Sequence, residues 1–159
     1  MSSAARPLRP FFLAAALTIF WASAAHGTSI TLDDSGSQAL EPSVAMRWKT
    51  AAPSRAAADN VMVGTLIVRV RINVMPWLRR SGRIYLALPA QQPGPMVLSW
   101  TTQGRFLPGR IQSGSRVLVY AGPINAPFLE DTLTFQFTVA GTLMQRAVPV
   151  TYHFEMDGA

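Results

Sequence analysis

The chain of 159 residues contains no cysteine. Disulfides and thiolate metal sites are therefore excluded, and so is a lipid anchor attached through a cysteine side chain. Small exported domains often depend on disulfides to supplement a thin hydrophobic core. This chain has to bury enough apolar surface without them.

Residues that commonly perform catalysis are also scarce. The chain has only eight acidic residues and two histidines. His153 lies on the polar side of an alternating segment, where a surface histidine is the simpler interpretation. Zinc sites need three or four suitable ligands, and no G-x-S-x-G, P-loop, HExxH or EF-hand spacing occurs. We therefore predict a protein with no catalytic residues, no metal and no cofactor, and regard a carboxylate-dependent sugar-active enzyme as a remote alternative.

Acidic residues are absent from one long interval, between Asn60 and Leu129. That interval contains eight arginines: Arg69, Arg71, Arg79, Arg80, Arg83, Arg105, Arg110 and Arg116. Arginine favours planar, bidentate recognition of carboxylate, phosphate or sulfate groups. The arginines predict either one positive face or a dispersed, solvated basic surface, because separation along the chain does not ensure clustering in space.

The longest apolar run is too short to span a membrane. It extends from Phe11 to Trp21, follows Arg6 and Arg9, and precedes a small-residue tail. A basic start, a short apolar middle and small residues at the end are typical of a secretory signal peptide. We expect residues 1–27 to be this signal, with cleavage after Ala24 or Gly27 and no transmembrane span afterwards. The predicted location is the periplasm, the cell surface or the extracellular space.

The remaining residues, 28–159, show a period of two. Apolar and polar residues alternate strictly in 68–74, 133–139 and 148–155, and this pattern is typical of half-buried strands. Weaker strand candidates are 29–32, 43–48, 83–88, 96–101 and 116–121, and Gly and Pro turn signals separate most of them. We predict one domain, an Ig-like antiparallel β-sandwich of about seven to eight strands. Pro149 indicates that the last strand lies at an edge or is paired on one side there.

Two loops combine arginine with large apolar side chains. The first runs from Met75 to Arg83, and the second from Trp100 to Arg110. Trp and Arg are enriched where binding energy concentrates in interfaces, although the Trp and Leu of the first loop could instead cap the open end of the sandwich. Trp100 is in phase with Met96 and Leu98, so it is predicted to belong to the core. The predicted ligand- or partner-contacting residues are Trp77, Leu78, Arg79, Arg80, Arg83, Arg105 and Arg110.

Export and strand content favour a structural or accessory subunit of a bacterial envelope or surface assembly, either pilus-like or secretion-associated. Such sandwiches often associate by adding a strand to an exposed edge. The predicted donor or edge-strand residues are Ile30, Leu32, Val150 and Tyr152, and the predicted partner is an envelope or surface protein or another copy of the chain. The alternative is a binding module for a polyanion, such as acidic polysaccharide or lipid phosphate. Nucleic acid is not expected, because the chain is exported.

Overall fold

A computed structural model describes residues 28–41, 43–50, 60–90, 96–141 and 150–157. The predicted signal peptide and Pro149 lie outside these residues. The described residues form ten β-strands and one short 3₁₀ turn. None of the helices in this part of the chain is long and apolar enough to cross a membrane.

The ten strands form two antiparallel sheets that pack against each other. In chain order they are β1 (Ser29–Thr31), β2 (Gln38–Ala39), β3 (Arg47–Trp48), β4 (Val61–Asn73), β5 (Ser81–Leu88), β6 (Met96–Thr102), β7 (Gly109–Gln112), β8 (Ser115–Pro123), β9 (Phe128–Ala140) and β10 (His153–Asp157). One sheet has the order β1-β10-β5-β8. The other has the order β2-β4-β9-β6-β7, with β3 also paired to β4.

The six-stranded sheet is built on two 13-residue strands, β4 and β9. Their register pairs Val68 with Leu133 and Ile72 with Leu129, and all four side chains are buried. The intervening residues of β4, Ile67, Arg69 and Arg71, are exposed. Strict alternation in the sequence therefore corresponds to one face in the core and one in solvent, as the period of two predicts.

The core lies between the two sheets and is rich in aromatic rings. Phe135 of β9 and Phe154 of β10 are fully buried, and Trp100 of β6 is 3% exposed. Trp100 packs edge-on against Phe135, with 6.5 Å between ring centroids. Its indole Nε1–H donates to the carbonyl of Leu107 at 2.8 Å, so the buried polar atom of the ring is satisfied. The predicted core position of Trp100 is confirmed.

The structure has more strands than the sequence pattern predicted. Predicted segments correspond to β1, β3, β4, β5, β6, β8, β9 and β10, whereas β2 and β7 were not expected. Both are short edge strands of the six-stranded sheet, with two and four residues, and their pairing depends on a neighbouring strand rather than on their own pattern. The segment predicted as 43–48 forms a strand only at Arg47–Trp48.

The last strand also differs from the prediction. It begins at His153, whereas Val150 and Tyr152 precede it and pack partly buried against the core. Its predicted faces are confirmed within the strand, because Phe154 is buried and His153 and Glu155 are on the polar side. Pairing begins where His153 meets Ala87 near the end of β5, so only one residue of β5, Leu88, remains beyond the last paired position.

Candidate binding site at the turn between strands β4 and β5

The turn at residues 74–80 connects β4 of one sheet to β5 of the other. It contains the 3₁₀ turn Met75–Trp77, with Pro76 in the first turn, where proline's fixed φ and missing N–H cost nothing. Met75 is 61% exposed and Leu78 is 39% exposed. Trp77 is partly buried and packs against the core. The turn therefore holds its tryptophan as an anchor and presents the two neighbouring apolar side chains to solvent.

Every backbone N–H of this turn donates a hydrogen bond within the protein. The amide of Met75 donates to the side chain of Asn73 at 3.1 Å, and that of Arg79 donates to the carbonyl of Ile124 at 2.8 Å. The remaining donors are Val74, Trp77, Leu78 and Arg80, each bonded to a backbone carbonyl, while Pro76 has no N–H. A partner therefore meets side chains here and finds no free amide with which to extend a strand.

A second crossover, residues 124–127, lies beside the turn and supports it. It connects β8 to β9 and accepts hydrogen bonds from Val74 at Pro127 and from Arg79 at Ile124. Ile124 is fully buried. Directly after this crossover, Phe128 opens β9 opposite Asn73 and is 39% exposed. The turn and Phe128 together place three exposed apolar side chains at one end of the sandwich.

Arginines flank these apolar side chains. Arg79 and Arg80 are exposed on the turn, and neither forms an ion pair among the described residues. Arg79 adopts a φ of +67°, a left-handed conformation that costs free energy for a residue with a Cβ atom. Arg71 lies over the ring of Phe128 at 4.1 Å from the centroid, and its Nε lies 3.1 Å from a Glu130 carboxylate oxygen. We call this set the end patch: Arg71, Met75, Trp77, Leu78, Arg79, Arg80 and Phe128.

The predicted contact residues fall into three places. Trp77, Leu78, Arg79 and Arg80 lie together in the end patch. Arg83 lies on β5; the hydrogen bond from Arg116 lowers the pKa of Asp157, and the charge of Arg83 adds to this effect. Arg105 and Arg110 are exposed on the connection before β7 and on β7 itself.

The outer face of the four-stranded sheet carries a polar cluster that the sequence did not predict. We call it the sheet-face network: Ser29, Tyr85, Arg116, His153, Glu155 and Asp157. Arg116 donates to Asp157 at 2.7 Å and lies 3.4 Å from Glu155, with its guanidinium 4.5 Å from the centroid of Tyr85. The sequence signal for this cluster was the alternation of polar and apolar residues in β10. The residues that contact β10 lie on β1, β5 and β8, far away in sequence.

Glu155 lies between a hydroxyl and a histidine in this network. Ser29 Oγ donates to one carboxylate oxygen at 2.7 Å, and His153 Nε2 lies 2.8 Å from the other. The histidine therefore contacts the carboxylate and not the hydroxyl that it would need to activate. The hydrogen bond from Ser29 lowers the pKa of Glu155, and the hydrogen bond from Arg116 lowers that of Asp157. Both groups stay ionised near neutral pH, and their geometry is that of a link between strands.

Buried Asp131 positions the connection that carries Arg105. It is 6% exposed, and its carboxylate accepts hydrogen bonds from the backbone N–H groups of Phe106 at 2.7 Å, Thr132 at 2.7 Å and Gln103 at 3.3 Å. At Gly104 a Cβ atom would lie 2.9 Å from Oδ1. In the sequence, Asp131 directly follows another acidic residue, Glu130. The structure places the two on opposite faces of β9.

The described residues contain no group of three or more histidine, cysteine or acidic side chains placed to hold a metal ion. No protein-family model matches the chain, and no curated protein or solved structure shows significant similarity to it. Function is therefore inferred from the residues and their geometry.

Proposed function

We propose that this protein is an exported, non-catalytic Ig-like β-sandwich, with one domain at residues 28–159, that serves as a structural or accessory subunit of a bacterial envelope or surface assembly. Residues 1–27 have the pattern of a signal peptide, which supports export. Association through a strand edge is supported by the position of β1. The partner is another copy of the chain or an envelope protein.

Strand β1 is the observation that carries this proposal. Among the strands that the structure describes, it is the outermost of its sheet and pairs only with β10. Its three residues are exposed, and Ile30 is 41% exposed. The next residue, Leu32, is buried and donates its N–H to Phe154 at 2.8 Å. An exposed edge strand with no proline or lysine is a ready template for pairing with another chain.

The register identifies which backbone groups face outward. Leu32 and Phe154 are a hydrogen-bonded pair, and Ile30 opposite Met156 is the next such pair along the antiparallel ladder. The N–H and C=O of Thr31 therefore point away from β10. Proline at this position removes an outward donor while leaving the pairing with β10 in place.

The test compares Thr31→Pro with its matched control, Thr31→Val, which keeps the donor. The full-length chain is expressed, the exported product is isolated, and its mass is measured by sedimentation over a range of concentrations. We expect concentration-dependent association that Thr31→Pro abolishes, that Thr31→Val retains, and that moderate salt barely changes. A product that stays monomeric at every concentration and forms no discrete crosslinked species in the envelope would contradict the proposal.

A second candidate function is binding of an anionic ligand, and it is favoured because Arg79 and Arg80 form no ion pair with any residue that the structure describes. Arginines without acidic neighbours retain their full attraction for an anion. The test is elution from heparin by salt, for the protein with Arg79 and Arg80 replaced by glutamine and for a control with Arg105 and Arg110 replaced. Earlier elution of the first variant alone is expected. Equal elution of both variants would remove this candidate.

A further inference from the structure

We infer that the end patch seats the protein on an anionic lipid surface, with Met75 and Leu78 entering the headgroup boundary and Arg79 and Arg80 contacting lipid phosphates. This inference rests on export and on the second candidate function, for which it names the ligand. It does not depend on association through β1, because no residue of β1 belongs to the end patch.

The first support is the pairing of side-chain types at one turn. Amphipathic surfaces that bind a bilayer combine Trp, Phe or Leu with Arg or Lys, so that apolar groups enter the boundary while cations stay at the phosphates. The end patch combines exposed Met75, Leu78 and Phe128 with the arginines Arg71, Arg79 and Arg80. Two acids lie beside the patch: Glu130 is bound to Arg71, and Asp33 forms a β-bridge with Asn73. The three arginines of the patch outnumber these two acids, so the patch keeps an excess of positive charge.

The second support is the closed hydrogen bonding of the turn. An unsatisfied peptide N–H is costly wherever water is excluded, so irregular backbone enters a lipid boundary only when its polar groups are satisfied. Every N–H from Asn73 to Arg80 is donated within the protein, and Pro76 contributes none. The turn can therefore lose water from its amides without losing hydrogen bonds.

The third support is the size of the patch. Stable protein–protein interfaces bury on the order of 1,200–2,000 Å² in total and concentrate their binding energy in well-packed pockets. Three exposed side chains on one turn and an adjacent strand end offer far less contact than this. A bilayer demands no such complementary surface, because each arginine near an anionic leaflet adds attraction independently.

The test measures binding of the exported product to vesicles, with its N-terminus established by intact mass. One set of vesicles is phosphatidylcholine alone, and the other contains a one-third share of phosphatidylglycerol. The charge variant is Arg79→Glu with Arg80→Glu, and its matched control is Arg105→Glu with Arg110→Glu, which changes the net charge equally. The apolar variant is Leu78→Ser, matched by Leu107→Ser, which alters a side chain of similar exposure, 39% against 44%.

We expect binding to the anionic vesicles only, weakened at least about ten-fold by the charge variant, since each arginine near the surface contributes a factor of about five. Leu78→Ser should weaken binding about three-fold or more, with both controls close to the unchanged protein. Circular dichroism and thermal unfolding verify that every variant is folded. Failure to bind anionic vesicles, or equal losses in variants and controls, overturns the inference.

Heparin distinguishes the sources of the anion. Replacing Arg79 and Arg80 could reduce retention on heparin while Leu78→Ser leaves vesicle binding unchanged. That result would identify the ligand as a soluble or polysaccharide anion and would overturn the inference of a lipid surface. If an acidic protein binds the patch while anionic vesicles do not, the partner is a protein and the inference fails. Neither result changes the mass measurements on Thr31→Pro, so association through β1 is judged separately.

Discussion

The end patch and the sheet-face network draw arginines from the same acid-free interval of the sequence, yet place them in opposite surroundings. Arg116 contacts two carboxylates and a tyrosine ring. Arg79 and Arg80 lie on a turn with no ion pair among the described residues. The acids that neutralise Arg116 come from β10, near the end of the chain.

This difference shows that charge segregation along a chain does not predict charge segregation in space. Antiparallel pairing brings Glu155 and Asp157 beside β5 and, through it, close to Arg116 on β8. The turn at residues 74–80 is paired instead with a crossover that contains no acid. Charges in the network therefore help to hold strands, whereas Arg79 and Arg80 of the patch form no ion pair with any described residue.

The largest expected effect is a difference in the free energy of unfolding between substitutions beside the sheet-face network and in the end patch. Phe154 alternates with the network residues of β10 and is fully buried, so Phe154→Ala should destabilise the fold by about 3–5 kcal/mol. Met75→Ala, at the exposed end patch, should change stability by less than about 0.5 kcal/mol. Urea unfolding measures both. Comparable losses would mean that the end patch is part of the core.

Two adjacent acidic residues of β9, Glu130 and Asp131, sharpen the comparison, because their carboxylates have different partners. Asp131→Ala removes the carboxylate that accepts from the backbone N–H groups of Phe106 and Thr132, and it should cost about 2–3 kcal/mol. Glu130→Ala removes an exposed ion pair with Arg71 and should cost no more than about 0.5 kcal/mol. Chemical denaturation of both variants gives the difference. A small effect at Asp131 would show that water replaces the carboxylate.

A smaller effect of opposite sign is expected at Arg79. Its φ of +67° favours glycine, so Arg79→Gly should stabilise the protein by about 0.5–1 kcal/mol. Arg80→Gly is the control, because Arg80 has no positive φ and should lose a similar amount through the entropy of the unfolded chain. Thermal unfolding distinguishes the two signs. If Arg79→Gly both stabilises the protein and weakens vesicle binding, the backbone strain at Arg79 lowers stability in exchange for an arginine that binds the vesicle.

Acid should loosen the network locally and leave the end patch unchanged. The pKa values of Glu155 and Asp157 are lowered in the folded state. Their stabilisation is therefore complete above the ordinary carboxylate pKa, and it is lost as pH falls from about 4 through the lowered values. Amide exchange at Leu32, whose N–H is donated to Phe154 of β10, and at Arg79 measures the two regions. Arg116→Gln should make exchange at Leu32 less dependent on pH, and an unchanged profile would contradict this origin.

The part of the fold that sequence predicts best is the part with strict alternation. The patterns at 68–74 and 133–139 identified β4 and β9, because long central strands bury one face along their whole length. The short strands β2 and β7 carried no such pattern, since pairing with a neighbour determines them. The start of β10 was also mispredicted, because Val150 and Tyr152 pack against the core without joining the ladder.

The candidate site was only partly predictable. Trp77, Leu78, Arg79 and Arg80 were identified because apolar and basic residues meet in one short segment between two strands. Phe128 and Arg71 could not be assigned to the same place without knowing that Asn73 pairs with Phe128. The sheet-face network was missed for the same reason, since Ser29, Arg116 and Glu155 belong to three strands that are separated widely along the chain.

The closed hydrogen bonding of the turn at residues 74–80 has a consequence for how this protein could be engineered or could diversify. Since the amides bond to Asn73 and to backbone carbonyls, the shape of the turn depends little on the side chains at Met75 and Leu78. The residues at those two positions can be randomised while the backbone conformation of the turn stays the same. The turn is thus a natural place for a small display library, in which new specificities are selected without redesigning the sandwich beneath.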